Sequence, residues 1–219
     1  MSTLAGRSPE SVPSTIRSLP GRVWRRVKFH HLRPFLREVK YLFLRGWFGI
    51  MGPPRMLVYD EVTNARLLRA FGATVGQDTI LRAPITLHHE WDGYGNLTIG
   101  DGVALNGGTF LDLKNRITLE RGVSLGPHVI VMTHNAFNGN AFLESRLPRL
   151  VADKPVVIGA GAGIKAAAVI LHGVTIGEEA LVAGGSVVNR DVPRRAYVSG
   201  VPATVHRHLD PQDGRAGRV

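Results

Sequence analysis

The sequence contains no cysteine among its 219 residues. Disulfide bonds, thiolate metal ligands and a cysteine nucleophile are therefore excluded, and the composition is compatible with a reducing compartment. The chain also lacks an apolar run of the roughly 20 residues that a transmembrane helix needs. Its first twenty residues, rich in Ser, Pro and Gly, lack the apolar core of a secretory signal. We therefore expect a cytoplasmic protein.

Acidic residues are scarce in one N-terminal segment. The formal net charge of the whole chain is +10, and residues 22–45 contain eight basic residues and one acidic residue, a net charge of +7. The remainder of the chain is nearly balanced. A nucleic-acid-binding protein usually has a broader basic surface, so we expect no nucleic-acid partner and look for a local explanation of the charge.

The same segment has the pattern of an amphipathic helix. Leu32, Leu36, Val39 and Phe43 recur at helical spacing, while basic residues occupy another face. A basic amphipathic helix with aromatic residues is typical of a membrane surface contact, so we expect a peripheral contact of residues 22–51 with the inner membrane surface. The alternative is a helix that packs on its own domain or on a neighbouring subunit.

A six-residue repeat fills most of the chain after Val75. Aliphatic residues recur at every sixth position, and from Ile158 onward a small or β-branched residue follows each of them four positions later. A period of six fits neither an amphipathic helix nor a simple alternating strand. The repeat positions are Ile99, Leu105 and Leu111, then after a two-residue shift Leu113, Leu119, Leu125 and Val131, and finally Ile158, Ile164, Ile170, Ile176, Val182 and Val188.

This short fixed period predicts an all-β solenoid. Three six-residue segments make one triangular coil, so residues eighteen apart stack, Ile158 on Ile176 and Ile164 on Val182. About six coils are expected, each burying its apolar residues against the next. A short helix is predicted before them, over residues 64–71 with Thr63 as N-cap. The predicted segments are a flexible tail (1–21), a basic amphipathic helical region with a linker (22–72), the β-helix domain (73–200) with a protruding loop (135–156), and a C-terminal tail (201–219).

The repeat region resembles the hexapeptide-repeat acyltransferases. Within residues 156–209, the segments "ILHGVTIG", "GGSVVNRDVP" and "SGVPA" are similar to the C-terminal signature of sugar O-acetyltransferases that act on maltose, galactosides and cell-surface polysaccharides. The resemblance covers residues 75–209. It implies a left-handed parallel β-helix, a homotrimer with active sites between subunits, and acetyl-CoA or another acyl-CoA as co-substrate with no metal. The implied acceptor is a hydroxyl group on a sugar, polysaccharide precursor, glycolipid or glycosylated small molecule.

The repeat stops at "VMTHNAF", residues 131–137. From Val131 to Ile158 the chain runs 27 residues, of which about twenty have no repeat pattern, and long loops on repeat scaffolds are usually functional. The resemblance implies that His134, at the root of this loop, is the catalytic base, because a neutral imidazole can accept a hydroxyl proton and return it to a departing thiolate. Glu144 could orient the ring. The alternative for His134 is a structural loop histidine, and the alternative for Glu144 is a solvated loop acid.

The resemblance also implies binding residues. Asn106 and Asp112 match positions on the acceptor side, although Asn and Asp are also ordinary turn residues. On the coenzyme side, small residues leave room for the pantetheine arm and arginines suit phosphates, or simply face solvent. At residues 163–165 the sequence reads Gly-Ile-Lys where many relatives have Trp-Ile-Gly, so an aromatic wall is missing and the acyl length stays open. The implied coenzyme residues are Ala166, Gly184, Asn189, Arg190 and Arg207.

Two other classes of protein stay open. A zinc-dependent carbonic anhydrase shares the implied fold and needs three histidines that converge on one metal. Here His128 and His134 would have to be joined by His89 or His172. The other class is a non-catalytic scaffold or binding protein, because a fold does not determine a function.

Overall fold

The computed structural model describes residues 35–49, 52–89, 93–136, 140–147 and 151–209. The chain divides into two compact units, Met1–Leu42 and Phe43–Val219. The predicted N-terminal tail lies outside the described residues. Among the described helices, none combines the length and the apolar character that crossing a membrane requires.

The predicted N-terminal helical segment is confirmed by a helix, α1, over residues 35–49. In the first unit, Phe35 and Leu42 are 61% and 60% exposed. In the second unit, the rings of Phe43 and Trp47 stack with their centroids 6.4 Å apart. The membrane contact of this region stays a prediction.

The second helix, α2, begins earlier than the sequence predicts. It spans Glu61–Ala70, and its N-cap is Asp60, whose side chain accepts a hydrogen bond from the backbone N–H of Thr63 at 3.2 Å. The same carboxylate accepts a bond from the Thr63 hydroxyl at 2.8 Å, so Thr63 lies inside the first turn. The predicted start at Asn64 is three residues too late because a stronger capping residue precedes Thr63.

Short strands form the rest of the second unit, together with one helix in the loop, α3 (Ala141–Arg146). In chain order, the strands are β1 Met56–Leu57, β2 Thr74–Val75, β3 Ile80–Leu81, β4 Ile85–His88, β5 Leu97–Ile99, β6 Ala104–Leu105, β7 Thr109–Asp112, β8 Ile117–Leu119, β9 Ser124–Leu125, β10 Ile130–Val131, β11 His134–Asn135, β12 Ala152–Asp153, β13 Val156–Ile158, β14 Gly163–Ile164, β15 Val169–Ile170, β16 Thr175–Ile176, β17 Leu181–Val182, β18 Val187–Val188, β19 Ala196–Gly200 and β20 Ala203–His208.

Three sheets form the sides of a solenoid. Their strand orders are β2-β5-β8-β13-β16, then β3-β6-β9-β14-β17-β19-β20, then β1-β4-β7-β10-β15-β18. Three successive strands, one from each sheet, make one turn, and the described residues contain five complete turns. The expectation of about six coils is one too high, because a sixth turn is represented only by β19 and a bridge between Val192 and Ile176. The segment predicted as a C-terminal tail includes β20, which pairs antiparallel with β19.

The stacking of residues eighteen apart is confirmed. Ile158 pairs with Ile176, and Ile164 with Val182, in parallel register. In the earlier repeat the paired positions are 24 residues apart between the first and second turns and 20 residues apart between the second and third turns. The side chains of these two stacked pairs, Ile158 with Ile176 and Ile164 with Val182, are 1% exposed or less. Each contributes about 1.5–3 kcal/mol by burial, so the core is a column of aliphatic side chains along the solenoid.

Glycine at the first corner after β13 lets neighbouring turns approach closely. A Cβ atom at Gly159 would lie 2.7 Å from the backbone nitrogen of Glu178 and 2.9 Å from the carbonyl oxygen of Ile176. We expect Gly159→Ala to lower the free energy of unfolding by roughly 1–3 kcal/mol, because the next turn must shift. Gly95→Ala is the matched control, since a Cβ there meets no atom within 4 Å. Equal urea unfolding midpoints for both variants would contradict this packing.

Candidate active site

The solenoid is interrupted between β10 and β13, and His134 lies where the chain leaves it. There β11 pairs antiparallel with β12, which places His134 opposite Asp153. The backbone N–H of Lys154 donates to the carbonyl of Thr133 at 2.9 Å. This short antiparallel pair closes the base of the loop, so the backbone around His134 is held from both sides.

A buried carboxylate contacts the His134 ring. Asp112, the last residue of β7, has a side chain with no solvent exposure, and its Oδ2 lies 2.5 Å from Nδ1 of His134. The same oxygen accepts bonds from the backbone N–H groups of Thr133 at 2.9 Å and His134 at 3.0 Å. An ionised carboxylate only accepts hydrogen bonds, so we assign the proton to Nδ1 and the free lone pair to Nε2.

The hydrogen bonds keep Asp112 ionised. Burial by itself raises the pKa of Asp112, but the hydrogen bonds from His134, Thr133 and His89 outweigh burial and hold that pKa well below its ordinary value. At neutral pH the site therefore contains a fixed negative charge behind the imidazole. This arrangement favours a positive charge that develops on the ring.

Two further histidines lie beside the other oxygen of Asp112. His88 is the register partner of Asp112 in the β4–β7 pair, and His89 follows it directly. Nδ1 of His89 is 2.9 Å from Oδ1 of Asp112, and Nδ1 of His88 is 3.7 Å from it. The ring centroids of His89 and His134 are 4.5 Å apart. Sequence reasoning did not group these residues, although the 24-residue register of the first turns, as in Leu87 and Leu111, would have done so.

Asp112 and Asn106, the acceptor residues that the resemblance implies, have different hydrogen-bond partners. Both oxygens of Asp112 already accept hydrogen bonds, so the carboxylate faces the imidazoles rather than solvent. Asn106 follows β6, and its amide group donates to the carbonyl of Leu125 and accepts from Arg82, each at 2.8 Å. No described hydrogen bond joins Asn106 to His134.

Glu144 is not the group that contacts Nδ1 of His134. It lies in the first turn of α3, a helix without buried residues. Nδ1 of His134 already forms a hydrogen bond with Asp112, so among the described contacts Asp112 rather than Glu144 orients the ring. Sequence reasoning missed this pair, since Asp112 and His134 are 22 residues apart and only the register of β7 and β10 brings them together.

Two of the five implied coenzyme residues lie together. Ala166 and Gly184 occupy the same corner of successive turns: the carbonyl oxygen of Ala166 accepts from the N–H of Gly185 at 2.9 Å, and a Cβ at Gly184 would lie 3.0 Å from it. The other three side chains are exposed, two at the next corner after β18 and one on β20. They are Asn189, Arg190 and Arg207.

Gly163, where the resemblance implies a tryptophan in many relatives, lies beside the side chain of Leu181. Gly163 pairs with Ser124 on one side and Leu181 on the other. A Cβ at Gly163 would lie 3.3 Å from Cδ1 of Leu181. The Leu181 side chain therefore borders the space above Gly163.

One group in the described part of the chain offers metal-ligand spacing. The ligand atoms of His88, His89 and Asp112 lie within 4.8 Å of one another. A metal there would compete with the existing bond between His89 and Asp112. Among the described residues of one chain, His128 and His172 join no such group.

Comparison with known proteins gives the class of this fold and site. No protein-family model matches the chain. A crystal structure of a hexapeptide-repeat acetyltransferase from Vibrio cholerae, in complex with acetyl coenzyme A, is 31% identical with a TM-score of 0.59, and the match covers 69% of this chain and 79% of that protein. The chain belongs to the hexapeptide-repeat acetyltransferases, and its solenoid is their left-handed parallel β-helix. The predicted acyltransferase class is confirmed.

Other relatives are named for different acceptors. Galactoside O-acetyltransferase of Escherichia coli K12 is 27% identical over 153 residues, which are 67% of this chain and 69% of that protein. Serine acetyltransferase 2 of Arabidopsis thaliana is 33% identical over 115 residues, which are 52% of this chain and 32% of that protein. Membership of the family therefore does not by itself define the acceptor.

Proposed function

We propose that this protein transfers an acetyl group from acetyl-CoA to a hydroxyl group of a sugar or glycoconjugate, with His134 as general base. The observation that supports this most is the 2.5 Å contact between Nδ1 of His134 and Oδ2 of the buried Asp112. Acetyl-CoA is supported by its presence in the Vibrio cholerae relative. The sugar acceptor is supported by the galactoside O-acetyltransferase.

The proposed mechanism uses the free nitrogen of the His134 ring. Asp112 holds the ring with the proton on Nδ1, so Nε2 accepts the proton of the acceptor hydroxyl as the oxygen attacks the thioester carbonyl. The tetrahedral intermediate then collapses, the carbon–sulfur bond breaks, and the proton moves from Nε2 to the sulfur of coenzyme A. The negative charge of Asp112 stabilises the transient imidazolium.

The proposal includes a coenzyme site along the later turns and a homotrimer. Ala166 has only a methyl side chain and Gly184 has none, so an extended pantetheine arm can lie against their backbone, beside the exposed Lys165. The exposed guanidinium groups of Arg190 and Arg207 suit the phosphates of the nucleotide. The homotrimer, in which a neighbouring subunit completes the site, is the assembly that the family resemblance implies.

The proposal predicts that release of coenzyme A depends on an acceptor hydroxyl. With acetyl-CoA as donor, we expect the rate of thiol release to rise when a hydroxylated sugar is added. The product should lose its acetyl group in alkaline hydroxylamine, which cleaves oxygen esters under conditions that leave amides intact. The same sugar with its hydroxyls methylated is the control. Acceptor-independent release, or a product resistant to hydroxylamine, would overturn the proposed reaction.

A further inference from the structure

The carboxylate of Asp112 is shared between two imidazoles. Oδ2 accepts from Nδ1 of His134 at 2.5 Å, and Oδ1 accepts from Nδ1 of His89 at 2.9 Å. A single general base needs only one of these contacts. The contact between His89 and Oδ1 of Asp112 is therefore additional to the contacts that the proposed mechanism requires.

His89 is the main donor to Oδ1 of Asp112. Besides His89, this oxygen has a long contact of 3.4 Å with the backbone N–H of Lys114 and a distance of 3.7 Å to Nδ1 of His88. His88 is about half exposed, with its ring 5.8 Å from that of Phe110. Loss of the His89 donor would leave a buried carboxylate oxygen without a good partner.

The backbone at His89 has a positive φ of +60°, as it has at five other described residues that are not glycine. Glycine adopts this left-handed conformation freely, and asparagine and histidine adopt it more often than most other residues. Here the turn directly after β4 brings the His89 ring to within 4.5 Å of the His134 ring, at an interplanar angle of 85°.

We propose that His89 is a positioning residue for the catalytic base: its Nδ1–H holds Oδ1 of Asp112, so that Oδ2 stays on His134. This inference rests on the proposed role of His134. If Oδ1 loses its partner, the Asp112 carboxylate is free to rotate, and the His134 ring loses its fixed tautomer and direction. The ionisable side chains that face the carboxylate are His88, His89 and His134.

Two substitutions at His89 separate the donor from the backbone. His89→Asn keeps an N–H donor near the Nδ1 position and tolerates a positive φ, whereas His89→Gly also tolerates that φ but removes the donor. We expect His89→Gly to lower kcat about 10- to 100-fold, the usual loss when the partner of an active-site ligand is removed, with the KM values for acceptor and acetyl-CoA unchanged. His89→Asn should recover most of the rate.

The pH dependence gives a readout that a merely structural role would not change. Once the carboxylate is free to rotate, its negative charge is no longer held against His134 and favours the protonated ring less. The acid limb of the kcat/KM profile should therefore move to lower pH in His89→Gly and stay near its wild-type position in His89→Asn. If the glycine variant does not fold, His89→Ala has the same expected result.

The outcome for His134→Asn, measured alongside, separates this inference from the proposed function. A His134→Asn variant at wild-type turnover would overturn the proposed base. An inactive His134→Asn together with wild-type kcat and pH profile in His89→Gly would overturn only the positioning role. A raised acceptor KM at unchanged kcat would also overturn it, because His89 would then bind the acceptor.

Discussion

Replacing His134 with asparagine is expected to lower kcat by about 10²–10⁴-fold, the usual contribution of a general base. The amide cannot accept the hydroxyl proton at neutral pH, while the loop root stays closed by the β11–β12 backbone pair. The Kd for acetyl-CoA should therefore be unchanged. Steady-state turnover with saturating acetyl-CoA and calorimetric binding of the coenzyme measure the two quantities.

The chain offers a matched control for this substitution. His128 lies one repeat before His134, is exposed and has a φ of +58°, a conformation that asparagine tolerates. We expect His128→Asn to keep wild-type turnover. Turnover by His134→Asn close to that of His128→Asn would contradict the assignment of the base.

Replacing Asp112 with asparagine is expected to lower kcat by a similar factor, about 10²–10⁴-fold, without unfolding the protein. The amide oxygen can still accept from Nδ1 of His134 and from the backbone N–H groups of Thr133 and His134, but the fixed negative charge behind the imidazolium is lost. Wild-type kcat in Asp112→Asn would show that the 2.5 Å contact has no catalytic role.

The same substitution has a pH-dependent effect on stability. The pKa of folded Asp112 lies below its ordinary value, so its ionised form stabilises the native state above about pH 4, and this contribution is lost as the pH falls from there toward the folded pKa. We expect Asp112→Asn to lower the free energy of unfolding by about 1.5–3 kcal/mol at pH 7. The difference from wild type should shrink at pH 3.5. A difference that does not change between these pH values, measured by urea unfolding, would contradict the ionised state.

The period of six was enough to predict the solenoid, because one aliphatic side chain per corner is a strong and regular signal. Ile158 and Ile176 pair as that period requires. The number of coils was harder to predict, since the sequence after Val188 keeps apolar residues but forms only part of a turn. The start of α2 was misplaced because the prediction chose Thr63 although Asp60 offered the stronger cap.

The candidate site was only partly visible in the sequence. His134 stood out because the repeat stops there, whereas Asp112 was assigned to the acceptor from the resemblance, with its register left uncertain by the two-residue shift. In the structure, β7 and β10 pair in parallel, and this brings Asp112 behind the ring. His89 was missed because the 24-residue register of the first turns, which places the neighbouring His88 opposite Asp112, was not recognised in the sequence.

Mass spectrometry of acceptors incubated with acetyl-CoA and the protein tests the central claim most directly. The account predicts that a sugar or glycoconjugate gains the mass of one acetyl group on a hydroxyl with the wild-type protein, and that this product falls by at least about 10²-fold with His134→Asn. Equal amounts of acetylated product from both proteins would contradict it.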